Sequence, residues 1–276
     1  MVRCLLLAAL LVPQQAPADL VAGEVKRLAT DMKFTEGPVA DGKGNVFYSD
    51  IPAKRIMKWD GKENGVWRED SGGANGLKFD KEGNLYACEG DLGRVTKISP
   101  DQKVTVLADK YNDVRLNSPN DLCFDARGGL YFTDPKYGGK PTQDKEAVYY
   151  LPPGGGKLAR VADDLVRPNG IHLHGDRLYV ADHGGKKVYA YGMNADGTLK
   201  DKKEFAPVAA DGIKVDEKGN LYCATGKGVE VFAPDGKALG VIAVPEGPAN
   251  LAFDGKTLYV TARKSLYVVP MKVGGD

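Results

Sequence analysis

Gly44-Asn45-Val46-Phe47-Tyr48 is a tight turn running into an aromatic strand, and the phrase keeps returning. It recurs as Gly83-Asn84-Leu85-Tyr86, Gly129-Leu130-Tyr131, Arg177-Leu178-Tyr179, Asn220-Leu221-Tyr222 and Thr257-Leu258-Tyr259. The first aromatic after each turn stands at Phe47, Tyr86, Tyr131, Tyr179, Tyr222 and Tyr259, in steps of 39, 45, 48, 43 and 37 residues. Between these points short apolar runs alternate with Gly, Asp, Asn and Pro clusters. No useful stretch after residue 20 carries a helical period. A period of about 40–45 residues with several short strands per unit marks a β-propeller. Six units therefore predict an all-β fold, a six-bladed β-propeller with four-stranded blades.

The second unit shows how a blade is written. Strands are expected at 76–79, 85–88, 94–98 and 104–107. Asp80-Lys81-Glu82-Gly83-Asn84 makes the first turn, with glycine supplying the positive φ. The last unit offers strands at 251–253, 258–261 and 266–269 and then runs short by one. The strand at 25–29 precedes the first inner strand and lacks a partner. It is expected to supply the outer strand of the last blade, closing the ring and hiding both sheet edges.

Composition narrows the function. The chain has 276 residues with 35 glycines, 38 basic and 37 acidic side chains and three histidines. That charge balance gives no case for nucleic-acid or anionic-membrane binding. Three histidines do not make a His-rich metal site. Met1-Val2-Arg3 is a short basic start, residues 4–12 are an apolar run, and Ala16-Pro17-Ala18 has small residues at cleavage spacing. The run is far shorter than the roughly 20 residues needed to span a bilayer, so stable membrane insertion is not expected. Residues 1–18 read as a secretory signal peptide and 19–276 as a single propeller domain, exported to the periplasm or secreted. Cys88, Cys123 and Cys223 sit in apolar strand patterns and read as buried small hydrophobes, not as a disulfide framework.

About eleven residues before each aromatic stands an acid or an amide: Glu36, Asn75, Asn120, Asn169, Asp211 and Asn250. Each leads an inner strand, and inner strands line the central channel. The six positions therefore form a ring around one mouth. Asn and Asp favour turns that precede strands, whereas Glu does so poorly. Two carboxylates and four amides on a narrow axis require a cation or water. Oxygen-only donors suit a hard divalent cation, Ca²⁺ first, with Mg²⁺, Mn²⁺ or Zn²⁺ as alternatives.

A second set of polar residues, three past each aromatic, is Asp50, Glu89, Asp134, Asp182 and Thr225. They end strands that run back to the same mouth. A long Gly/Pro loop follows Asp134, carries Tyr137 and continues to about Glu146, which makes it a candidate lid. His183 follows Asp182 at this mouth and is the histidine placed to touch a ligand. His172 and His174 lie deeper on their strand.

These residues resemble the senescence-marker/regucalcin-like gluconolactonase family over roughly 27–270. The strongest pieces are Phe34-Thr35-Glu36-Gly37-Pro38, Leu116-Asn117-Ser118-Pro119-Asn120-Asp121-Leu122 and Tyr131-Phe132-Thr133-Asp134-Pro135. Arg167-Pro168-Asn169-Gly170, Ala210-Asp211-Gly212 and Pro248-Ala249-Asn250-Leu251 extend the likeness. The resemblance implies a six-bladed propeller with a divalent metal in the channel. It assigns Glu36, Asn169 and Asp211 as metal ligands, Asn120 as a residue near both metal and substrate, and Asp211 as general base. Some members carry a substrate-binding Arg two residues before the channel Asn, where this chain has Ser118, and some have Trp shortly after Glu-Gly-Pro, where this chain has Val39-Ala40.

The expected reaction is opening of a small-molecule lactone, with carbonyl polarisation by the metal and water activated by Asp211. Asn75, Asn120, Asn250 and His183, with Asp134 and Tyr137 from the long loop, are the expected substrate contacts. A related arylesterase or phosphotriesterase, and a non-catalytic sugar- or peptide-binding propeller, are the alternatives.

Overall fold

Each apolar run is joined to the next by a turn of a few residues, so it pairs with its sequence neighbour as an antiparallel meander. A computed structural model describes residues 17–137 and 142–276. The expected leader, 1–18, falls almost wholly outside the described residues. Among the described residues six four-stranded antiparallel sheets form the ring, and a two-stranded ribbon of Lys110–Tyr111 and Val114–Arg115 lies between the second and third. Blade 1 comprises Thr35–Ala40, Val46–Asp50, Arg55–Trp59 and Asn64–Arg68. Blade 2 is Ala74–Phe79, Leu85–Glu89, Arg94–Ile98 and Val104–Ala108, within two residues of the expected bounds at every end. Blade 3 is Leu122–Phe124, Leu130–Asp134, Ala147–Leu151 and Ala159–Ala162. Blade 4 is Pro168–His174, Arg177–Asp182, Lys187–Met193 and Leu199–Ala206. Blade 5 is Ile213–Val215, Leu221–Thr225, Gly228–Phe232 and Ala238–Ile242. Blade 6 takes Pro248–Asp254, Thr257–Ala262 and Ser265–Pro270, and its outer strand is Lys26–Ala29 from the N-terminal side. Lys26 pairs with Val268 and Arg27 with Tyr267, so the ring closes as expected.

Strand alternation explains the core. In the second strand of blade 3, Leu130 and Phe132 pack toward blade 2 while Tyr131, between them, packs toward blade 4. In blade 1, Phe47 packs toward blade 2 while Val46 and Tyr48 pack toward blade 6. Each blade thus buries both faces, and the hydrophobic clusters fall one to each blade interface. Cys88, Cys123 and Cys223 are free, buried members of these clusters, and burial pushes each thiol up.

The blades are stitched together at the channel. The Gly170 N–H donates to the Asp211 carbonyl at 2.9 Å, and Gly76 N–H to the Asn120 carbonyl at 2.7 Å. A Cβ on Gly170 would stand 2.5 Å from that Asp211 oxygen. Gly37 is tighter still, at φ +48° with the Asn75 carbonyl 1.8 Å from where its Cβ would be. The glycine after a ring residue is what lets the next inner strand approach and set its own ring residue.

Candidate active site

A cavity of about 420 Å³ opens at the channel mouth where the inner strands begin. Glu36, Asn75, Asn120, Asn169, Asp211 and His183 all line it, and Tyr137 reaches it from the long loop. Phe34, Ile51 and Pro119 give it an apolar wall, with Ser118 and Asp91 beside them.

Glu36 is buried and oriented from one side. Its Oε2 accepts the Gly37 N–H at 2.8 Å and the Asn250 Nδ2 at 3.0 Å. Burial first, then the nearby Asp211 charge, raise its carboxyl well above the ordinary range. Burial also pushes Asp211 up to about 6, against the opposing effects of His183 and the Asn169 amide. Two carboxyls that each resist ionisation thus face one cavity.

The amides complete the picture. The Oδ1 atoms of Asn75, Asn120 and Asn169 are buried and have no hydrogen-bond donor among the described residues. Asn169 donates its Nδ2 to the Tyr137 hydroxyl at 2.8 Å, which turns its oxygen the other way. An orphaned amide oxygen normally costs about 1–3 kcal/mol, so three in one cavity call for a partner. A hard divalent cation answers both the unsatisfied oxygens and the mutually repelling carboxylates. The donors are oxygens, which favours Ca²⁺, Mg²⁺ or Mn²⁺ over Zn²⁺. Among the described residues no three His, Cys, Asp or Glu side chains cluster as a metal site; the candidate donors here include amides.

His183 Nδ1 lies 3.0 Å from the Ala210 carbonyl. A carbonyl only accepts, so Nδ1 carries a proton, and the other ring nitrogen has no hydrogen bond to a described residue. The contact ties His183 to the residue just before Asp211.

Two expected substrate contacts have other roles. Asn250 is not part of the cavity wall: its Nδ2 is given to Glu36 and its Oδ1 accepts the Leu251 N–H at 2.8 Å. It positions Glu36. Asp134 is fully buried and lies away from the cavity. Its oxygens accept the Asn117 and Ser118 N–H groups at 2.9 and 2.7 Å, fixing the segment that delivers Asn120. Asp50 treats Lys33 and Phe34 alike, ahead of Glu36, and Asp182 treats Val166, ahead of Asn169. These strand-end acids are loop anchors, not solvated ends.

Asp134→Ala should therefore leave the buried Asn117 N–H and the part-buried Ser118 N–H unpaired, the first at about 1–3 kcal/mol and the second at less. The expected result is a lower Tm and weaker cation binding with an unchanged substrate preference. A changed preference with an unchanged Tm would return Asp134 to the substrate.

Of the long loop, residues 138–141 lie outside the described residues. Its flanks are pinned: Lys136 N–H donates to Glu146 Oε1 at 2.7 Å, and Thr142 and Gln143 N–H groups donate to Asn117 Oδ1 at 3.1 and 2.9 Å. Asp121 is a carboxylate close to the site, outside the cavity wall, that the repeat count does not single out. It is buried beside Asn120, with Oδ1 accepting the Leu122 N–H at 2.9 Å, and its charge helps raise both Glu36 and Asp211.

Two carboxylates and unpartnered amide oxygens around one channel mouth of a six-bladed propeller make up the candidate site. The family described as SMP-30/Gluconolactonase/LRE-like region matches residues 34–264, and the chain belongs to it. A gluconolactonase of Zymomonas mobilis is 30% identical over 297 residues, covering 92% of this chain and 83% of the relative. The diisopropyl-fluorophosphatase of Loligo vulgaris is 27% identical over 279 residues, covering 87% and 88%. The solved structure of a Xanthomonas campestris gluconolactonase superposes with a TM-score of 0.87 at 30% identity, covering 94% of each chain.

Proposed function

We propose that this protein is a metal-dependent lactonase that opens a small lactone, a sugar 1,5-lactone being the first candidate. The observation that carries the reading is the meeting of Glu36 and Asp211 with three orphaned amide oxygens in one cavity. The two gluconolactonases at 30% identity support lactone as the substrate class.

Glu36, Asn169, Asp211 and Asn120 would hold the cation, with Ca²⁺ as the first choice. Bound there, it supplies Lewis-acid polarisation of an ester carbonyl and charge compensation for the developing oxyanion. The chain's own groups do the rest. Asp211, raised to about 6, is suited to accept a proton from attacking water near neutral pH. Asn250 and the Gly37 N–H keep Glu36 from turning away. Asn75 and the other ring nitrogen of His183 offer polar contacts to substrate hydroxyls. Phe34, Ile51 and Pro119 exclude water from one side of the ring.

The Loligo vulgaris relative, a diisopropyl-fluorophosphatase, supports a second reading, hydrolysis of an organophosphate such as a phosphotriester at the same centre. Aldonolactones, aliphatic lactones, aryl esters and phosphotriesters should be assayed with and without chelator. Chelator-sensitive turnover of lactones is the expected result. Turnover confined to phosphotriesters would favour the second reading, and cation binding without any turnover would sink both.

A further inference from the structure

Three residues on from each ring residue, the inner strands carry Val39, Lys78, Cys123, His172, Lys214 and Phe253. All six line a separate cavity of about 230 Å³. At about 3.3 Å per strand residue, this ring lies roughly 10 Å along the channel from the first. Its chemistry is the reverse of the first mouth. Two lysines and a histidine take the places below Asn75, Asp211 and Asn169.

Two carboxylates stand at this cavity: Asp276 lines it, and Asp121 lies beside Lys214. Asp121 lies 3.9 Å from Lys214 Nζ and accepts the Leu122 N–H. Asp276 lies 2.8 Å from His174 Nδ1. Lys214 also donates to the Ile213 carbonyl at 2.9 Å. Lys78 forms no ion pair with any described residue; it is half-buried, repelled by the Lys214 charge and attracted less strongly by Asp121 and Asp276. His172 is 7% exposed, and its Nε2, 4.0 Å from Asp276, has no hydrogen-bond partner among the described residues. A half-buried ammonium without an ion pair, beside a second one and with an orphaned imidazole nitrogen facing the same space, leaves positive charge that Asp121 and Asp276 offset only in part.

We propose that Lys78, His172 and Lys214 form a binding site for a small oxyanion at the end of the channel opposite the cation mouth. Lys78 and Lys214 supply the charge, and His172 Nε2, protonated in the neutral tautomer, donates a hydrogen bond. The cavity admits an anion the size of sulfate, phosphate or a short carboxylate. The site stands independently of the lactonase reading.

The test is calorimetric titration of the calcium-loaded protein with sodium sulfate and, separately, sodium acetate, at constant ionic strength held by chloride. The wild type should bind at one site per chain, and Lys78→Met should weaken that binding about tenfold or more. Lys78→Arg should retain it. Preference for sulfate would indicate an inorganic ion, and preference for acetate a carboxylate. Without added anion Lys78→Met should melt higher than wild type, since the repelled charge is gone, and its lactone turnover should be unchanged. A crystal soaked with selenate should show its anomalous peak between Lys78 and His172. Equal responses of wild type and Lys78→Met to both anions would overturn the proposal. So would a selenate peak confined to the cation mouth, or a lower Tm for Lys78→Met, which would make Lys78 the counter-ion of Asp121.

Discussion

Asp211→Asn is expected to cut lactone turnover about 10³-fold while raising the melting temperature of the chelator-treated protein at pH 8. The two effects share a cause. Asp211 faces Glu36 across the cavity, and the pair resist ionising together. Asparagine keeps the shape and an oxygen donor but removes one charge, so the metal-free fold is relieved. The same change removes the group placed to take a proton from water, an effect that typically costs 10²–10⁴ in rate. Turnover should be measured at calcium concentrations high enough to refill the weakened site. A variant that regains full activity at saturating calcium would show that Asp211 serves only as a ligand. A variant that melts lower in chelator would show that the two carboxylates are not in conflict.

What could be read in advance was position along the channel. The repeat fixes where each inner strand starts, so Glu36, Asn75, Asn120, Asn169 and Asp211 fell on one mouth by counting alone. Direction was harder. Asn250 occupies the same register, yet its amide is turned by Glu36 and by its own neighbour's N–H. Nothing in the spacing distinguishes an amide that faces the axis from one that braces a carboxylate. Asp134 failed for a related reason. It ends a strand at the correct mouth, but the unpaired N–H groups of Asn117 and Ser118 compete for it and win. The bond between Tyr137 and Asn169 joins residues 32 apart through an irregular loop, where no period applies. Lys78, His172 and Lys214 were within reach, since the same count carried three residues further finds them.

Calcium should raise the melting temperature strongly at pH 8 and scarcely at pH 4. The sign follows from the folded carboxyls. Asp211 is raised to about 6 and Glu36 is raised well above its ordinary value. A raised acid holds its proton in the folded state after the unfolded chain has released it. Its contribution to stability is therefore present below the unfolded pKa, near 4, and is lost as pH rises through the folded value. At pH 8 the metal-free protein carries the full penalty of two buried, opposed charges, and a cation removes it. At pH 4 both carboxyls are protonated, the penalty is absent, and protons displace the cation. Raising one pKa tenfold in proton affinity corresponds to about 1.4 kcal/mol, and 1 kcal/mol moves Tm by about 2–4 °C in a domain near this size. The difference between calcium-loaded and chelated melts should thus grow by several degrees between pH 4 and pH 8. Using the difference cancels carboxylates elsewhere, such as Asp125, which is held low by Tyr150 and backbone N–H donors and destabilises the fold on acidification in both samples alike. A calcium effect independent of pH would place the cation away from Glu36 and Asp211. With Asp211→Asn the pH dependence should shrink but persist through Glu36, so the two carboxylates can be separated by the same measurement.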